Sequence, residues 1–285
     1  MLKKISLYLS CLCLGFIASA ETSVWKVSSG DSEIYLGGTF HLLRATDFPL
    51  PEEFYEAYQD SMHLVFETDI GMMEGPGAQQ MIMSKGMLQG KTLTDVLSPE
   101  TYQALSNACS NIGIPIDALA GFKPSIVVVT IAVGEMQKIG LTQEGVDMHF
   151  YKRGKEDGKE MFFLEKVEEQ IDFICAMGEG NEDEFVSKSL DELDQAKSEL
   201  EHMIGLWKNG DRAGLNEYTN AAMKEEYPDL YKSLLVDRNK QWMPLIQTLL
   251  DSEEKEFVLV GASHLVGEEG LLTQLEKFGC TVKQL

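Results

Sequence analysis

A ten-residue pattern occurs twice, once near each end of the chain, and it constrains the fold more than any other feature. Residues 33–42 (EIYLGGTFHL) and 256–265 (EFVLVGASHL) share Glu, Leu, Gly, His and Leu at matching places. Each copy opens as a short apolar run, closes on a glycine and reaches a histidine three residues later. A short apolar run bounded by glycine reads as a buried strand. The chain continues alike beyond both copies. After the first, Leu50-Pro51-Glu52-Glu53 starts a helix with proline and acids in its first turn. Phe54, Tyr55, Tyr58 and Met62 give that helix an apolar face, and residues 64–67 (LVFE) form a second buried strand. After the second, Glu268 and Glu269 lead into a helix with Leu271, Leu272, Leu275 and Phe278 on one face; Gly279 stops it, and residues 280–285 form a last strand. A strand, a helical crossover and a strand make a unit whose strands are expected to pair in parallel.

The expected fold class is therefore α/β, a mixed sheet built from two strand–GxxH–helix–strand units. A mostly helical insertion, roughly residues 98–250, separates them. Helices are expected over 98–110, 124–138, 145–155, 167–177, 182–208 and 215–226, with one or two more in 228–250 and a short strand over 160–165. No low-complexity linker divides the chain, so residues 21–285 read as one domain.

The first twenty residues read as a secretory leader: Lys3 and Lys4, a short apolar stretch, then Ala18-Ser19-Ala20 as a small-residue cleavage site. That stretch is too short for a bilayer span, and residues 125–133 soon meet Glu135, Gln137 and Lys138, which suits a buried helix. The residues before Cys11 and Cys13 fit a lipoprotein signal poorly. An exported protein, periplasmic or secreted, with no membrane span after processing is expected. The formal net charge is −22. Such a field repels phosphate backbones, which argues against a nucleic-acid partner. Cys109, Cys175 and Cys280 lie far apart without CxxC spacing, which excludes a zinc knot or a disulfide-rich framework. One disulfide with a free thiol, or three buried thiols, both fit.

A lone histidine after a strand is usually structural. Here two of five histidines, His41 and His264, occupy the same slot of a repeated unit. The glycine lets the backbone turn sharply, and the loop beyond the carboxyl end of such strands is where ligands bind in α/β sheets. Glu67, ending the strand after the first copy, is expected beside His41, and Glu165 closes the short strand at the same edge. Two histidines and a carboxylate can hold a metal, or perform acid–base chemistry without one. Arg238-Asn239 is a candidate anion or carbonyl binder, Thr39 and Ser263 are candidate donors within the turns, and Asp147 is a candidate helix cap before His149. His63 and His202 carry no comparable signal. There is no nucleophile elbow, P-loop, HExxH or dinucleotide fingerprint.

In this order and spacing the motifs resemble the TraB/GumN family, which is related to the Tiki metalloproteases. The resemblance is carried by Leu36-Gly37-Gly38-Thr39-Phe40-His41, Val65-Phe66-Glu67-Thr68-Asp69 and Phe122-Lys123-Pro124. It continues through Gly145-Val146-Asp147-Met148-His149-Phe150, Leu164-Glu165-Lys166-Val167-Glu168-Glu169-Gln170, Asp237-Arg238-Asn239 and Val260-Gly261-Ala262-Ser263-His264-Leu265-Val266-Gly267. It implies an EreA/ChaN/Tiki-like scaffold and a metal-dependent peptidase. On that resemblance His41, Glu67, His264 and Arg238 are the expected catalytic residues. His41, His264, Glu67 and Glu165 are the expected ligands of a divalent metal (Mn, Co or Zn). The metal would polarise a scissile carbonyl and acidify a water, and Arg238 would steady the oxyanion. The expected partner is a peptide or small-molecule substrate. Two alternatives stay open: a metal-independent, esterase-like hydrolase with imidazole as base, and a non-enzymatic protein that binds a peptide, haem or metal.

Overall fold

The computed structural model describes residues 22–285; the leader-like residues 1–20, including Cys11 and Cys13, lie outside the described residues. The fold is mixed α/β. Its sheet has six strands, β1 (Val24–Ser29), β2 (Ser32–Thr39), β3 (His63–Phe66), β4 (Glu160–Phe163), β5 (Glu256–Gly261) and β6 (Thr281–Gln284), in the order β4-β3-β5-β2-β1-β6. β2, β5, β3 and β4 are parallel neighbours, while β1 runs antiparallel to both β2 and β6. Sequence reasoning missed β1. Its signal was the apolar Val24-Trp25-Lys26-Val27 run meeting a two-residue Gly30-Asp31 turn, which closes a hairpin onto β2.

The two strands of each unit do run parallel, but they are not adjacent. β5 lies between β2 and β3 and bonds to both. β2 and β1 lie between β5 and β6. β5 takes the centre because every residue but Gly261 is buried, and only an interior strand has both faces covered. The two GxxHL copies thus leave neighbouring strands, and the connections beyond them run in opposite directions along the sheet. That divergence defines a switch point, where a crevice opens outside the strand ends.

Packing then fixes the crevice walls. Phe54 of the Glu52–Asp60 helix, Phe150 of the Val146–Asp157 helix, Trp207 of the Glu182–Lys208 helix and Phe257 of β5 are fully buried together. Ring centroids lie 6.2 Å apart for Phe54–Phe150, 5.7 Å for Phe54–Trp207 and 5.7 Å for Phe150–Phe257. Burying each ring contributes roughly 1.5–3 kcal/mol. Trp207 also donates its indole N–H to the Gly38 carbonyl at 2.7 Å, tying a helix end to the first GxxH turn. The expected apolar helix forms as Pro124–Lys138 and packs Val127 and Ile131 into a separate cluster with Leu93, Leu105, Cys109 and Val186. No helix among the described residues is long and apolar enough to cross a membrane. Among the described residues, Cys109, Cys175 and Cys280 are buried and unpaired. The helices expected in 215–250 form, but π turns at Asn216–Ala221 and Lys232–Val236 interrupt them. Such turns re-aim side chains and gather near functional sites.

Candidate functional site

The second GxxHL turn is the more firmly held. Past Gly261 the chain coils into a single helical turn, Ala262–Leu265, which tucks His264 inward to 4 % exposure. Two buried asparagines from the π-turn region secure it. Asn220 donates to the Ser263 and Val266 carbonyls at 2.8 and 3.1 Å, and Asn239 to the His264 and Glu269 carbonyls at 3.0 and 2.9 Å. With both Asn239 N–H groups spent on carbonyls, its Oδ1 is an acceptor, so His264 Nδ1, 2.7 Å away, carries the proton. The Nε2 lone pair then faces Arg238 Nη1 at 3.0 Å. Trp242 forms the floor: its ring lies 4.4 Å from the His264 ring and 4.7 Å from the Arg238 guanidinium.

Arg238 is the centre of the cluster, and all five of its N–H donors are engaged. Nε donates to Glu165 Oε2 at 3.0 Å and Nη1 to His264 Nε2 and to the Leu234 carbonyl at 3.3 Å. Nη2 donates to Glu67 Oε2 and Glu165 Oε1, both at 2.7 Å. The other Glu67 oxygen accepts the Gly261 N–H at 2.7 Å. A Cβ at Gly261 would stand 3.3 Å from that oxygen, so glycine suits the approach. One guanidinium therefore joins the ends of β3, β4 and β5. The role expected of Arg238, donating to an oxyanion, finds no free N–H in this arrangement.

The first turn is built differently. Beyond β2 the chain bends at His41 without forming a helical turn, and His41 stands outward with its side chain 61 % exposed. Its Nδ1 pairs with Asp147 Oδ2 at 3.0 Å, and no described residue bonds Nε2. Asp147, expected as a cap, leaves that place to Gly145. Gly145 is pressed onto the turn: a Cβ there would come within 2.2 Å of the Phe40 carbonyl oxygen and 2.4 Å of the His41 carbonyl carbon. Val146 N–H donates to that Phe40 carbonyl at 3.0 Å, which delivers Asp147 to His41.

Electrostatics sort the four titrating groups. The Asp147 charge, reinforced by Glu67, outweighs Arg238 and the partial desolvation of an imidazole still open to solvent, and raises His41 to about 9. Burial, with Arg238 and His41 and against Glu67, lowers His264 to about 3, which agrees with its neutral, Nδ1-protonated form. Burial by itself would raise Glu67. The positive field of the histidines and Arg238, together with the Gly261 N–H, overrides it and holds the carboxyl well below the usual range; with His264 neutral, Arg238 and His41 supply that charge. Burial raises Glu165, which Arg238 only partly offsets and Glu67 reinforces.

His41, Glu67, His264, Glu165 and Arg238 are thus gathered at the switch point, as the sequence implied. As arranged, their donors close around Arg238 and do not open on an ion: Glu67 Oε2, both Glu165 oxygens and His264 Nε2 all face the guanidinium. Among the described residues no group of three His, Cys, Asp or Glu side chains is placed to hold a metal. The remaining candidates go elsewhere. Ser263 donates to Thr219 Oγ1 at 3.3 Å, and the buried Thr39 hydroxyl meets no partner among the described residues. His149 sits among Phe48, Tyr55 and Phe150. His63 lies at the opposite margin of the sheet on Glu254, and His202 packs on Tyr218. Sequence reasoning missed Asn220 and the pairing of Asp147. Asn220 had no signal, whereas Asp147 follows the tight Gly145 by two residues.

The fold and the cluster together describe a mixed α/β protein with two GxxH histidines and an arginine–glutamate centre at the carboxyl ends of the parallel strands of a mixed sheet. The chain belongs to the TraB/PrgY/gumN family, whose family model matches residues 23–284. No match was found among curated proteins or among solved structures.

Proposed function

We propose that the chain hydrolyses acyl bonds, peptides foremost, at the mouth of the switch point, with His41 as the proton donor. The observation that carries this reading is an exposed imidazole, paired through Nδ1 with Asp147 and free at Nε2, beside a buried Glu67–Arg238–Glu165 centre. With its pKa raised to about 9, His41 is an imidazolium at neutral pH and gives a proton instead of taking one, which reverses the role expected of an imidazole base. The two carboxyls are pushed apart in pKa, the pattern that separates acid–base roles. Glu165, the raised one, also lines an open cleft and is the better acceptor for a water's proton. Glu67 holds Arg238 in place. In this reading the water's oxygen bonds to the carbonyl carbon, Glu165 takes its proton, and His41 protonates the departing amine or alkoxide. The proposed setting is outside the cytoplasm, on the strength of the leader-like residues 1–20.

A second reading has its own support. Asn239 fixes His264 with Nδ1 protonated and Nε2 as a lone pair, which is how metal-binding histidines are oriented. His41, His264 and Glu67, with Glu165, would hold a divalent ion only after Arg238 withdrew. Cleavage of a quenched peptide set by purified residues 21–285 tests both. Turnover that survives exhaustive chelation and vanishes in His41→Ala supports the first; turnover abolished by chelator and restored by Mn, Co or Zn supports the second. Tight peptide binding with no turnover would replace both with a capture protein.

A further inference from the structure

β4 lies at the margin of the sheet and pairs on one side only, with β3. Backbone groups of a parallel strand alternate in direction. Leu164 and Glu165 N–H both bond inward, to the Phe66 and Glu67 carbonyls, where the strand has ended; within the strand, alternation back from Leu164 turns that of Phe163 outward. Proteins usually cover such a margin or place lysine or proline on it, because a bare edge pairs with any extended chain. This edge carries Phe162 and Phe163 instead, 41 % and 36 % exposed. The chain bends at Leu164 and Glu165 as it leaves the strand, and Glu165, two residues beyond Phe163, reaches Arg238. Where β4 ends, an open cleft of about 440 Å³ begins, lined by Met72, Phe163 and Val167 and by Asp69, Glu165 and Glu169. Met72 is 62 % exposed beside it.

We propose that the free edge of β4 is the docking strand for an extended peptide substrate. The peptide adds to the sheet beside Phe162 and Phe163, lays a large apolar side chain into the Met72–Val167 cleft, and turns across the strand ends so that the next peptide bond lies between Glu165 and His41. This rests on the hydrolase reading above and supplies its substrate mode. Backbone pairing accepts almost any sequence, and the cleft selects one side chain. Asp69, Lys166 and Glu169 give the rim mixed charge, so the apolar pocket, not the rim, sets the preference. A second copy of the chain is the other candidate occupant of a bare edge, but each copy carries a net charge of −22, which opposes that association.

The probe is the fluorescein-labelled peptide Lys-Thr-Val-Thr-Phe-Thr-Val-Lys, prepared with each backbone nitrogen methylated in turn. Its binding is followed by anisotropy on the His41→Ala chain, and its cleavage is followed by mass spectrometry on the unaltered chain. Strand addition predicts that methylation weakens binding about tenfold at alternate positions and hardly at those between, since alternate N–H groups face β4. Phe163→Lys, which keeps the strand and charges its edge, should weaken binding similarly, and Phe162→Lys guards against misfolding of the first variant. No detectable binding, methylation effects without alternation, or unchanged affinity in both variants would overturn the docking strand even if cleavage were seen. Alternation without cleavage would uphold it and remove the hydrolase reading. A dimer in light scattering that Phe163→Lys dissolves would assign the edge to a second copy and overturn the proposal.

Discussion

The two GxxHL turns begin alike and end as opposites. They leave adjacent parallel strands and carry their histidines to one crevice, yet His264 is 4 % exposed and His41 has a side chain 61 % exposed. The second turn coils into a helical turn clasped by Asn220 and Asn239, and its histidine is locked, neutral and bonded on both nitrogens. The first only bends, leans on Gly145 and Asp147, and keeps one nitrogen free. Identical residues at identical strand ends have thus been given different surroundings: one is a fixed part of the scaffold around Arg238, the other an accessible imidazole paired with Asp147. Environment, not residue type, makes the difference, because burial penalises the imidazolium at one and a facing carboxylate stabilises it at the other.

The sharpest way to break this contrast is at its hinge. Arg238→Met should strand Glu67 and Glu165 as buried, uncompensated acids and cost about 3–5 kcal/mol in urea unfolding, with loss of any turnover. A cost below about 1 kcal/mol would mean that the centre holds nothing together. Asn239→Ala removes a side chain that satisfies the His264 ring and two carbonyls; we expect about 1–3 kcal/mol of destabilisation, and a His264 ring no longer confined to the Nδ1–H tautomer by ¹⁵N NMR. Gly145→Ala attacks the other turn. Its methyl would collide with Phe40 and His41 backbone, which cannot swing aside as a flexible side chain can, so about 1–3 kcal/mol and a displaced His41 are expected. Asp147→Asn removes what holds the His41 proton, so it should destabilise the chain at neutral and acidic pH and hardly at all above about pH 9. It should bring the His41 titration down from about 9 toward the ordinary 6.5, and the alkaline limit of turnover should move with it.

Acidity separates the turns even in the unaltered protein. His41 binds its proton more tightly when folded, so its contribution to stability is complete below about pH 6.5 and disappears as pH climbs through about 9. His264 does the reverse: the unfolded chain takes up that proton first, so stability declines as pH falls from about 6.5 toward 3. In an NMR titration the His41 ring signals should move near pH 9, while those of His264 stay flat from about 8 down to about 4. Two histidines titrating together near 6.5 would contradict the geometry at both turns.

Much of this was legible beforehand, and for identifiable reasons. Periodicity located β2, β3, β5 and the Glu182–Lys208 helix, because burying one face demands a fixed spacing of apolar residues. The repeat singled out His41 and His264, and strand ends pointed to Glu67 and Glu165. What failed was adjacency. The units were expected to pair within themselves, but β5 enters between β2 and β3, since the most apolar strand gains most from the interior of the sheet. Asp147 looked like a cap and Asn220 like nothing in particular, because a polar residue's partner more than forty positions away leaves no local trace.

By itself, then, the sequence determined most of the strands and helices, though not β1, and which ionisable residues end them, since both depend on the chemistry of neighbours a few positions apart. The tertiary structure alone decided that the two motifs stand side by side, that Arg238 gathers the ends of three strands, and that one histidine is held neutral while the other is charged. Those outcomes depend on desolvation and on charges brought from distant parts of the chain, and neither exists until the chain has folded.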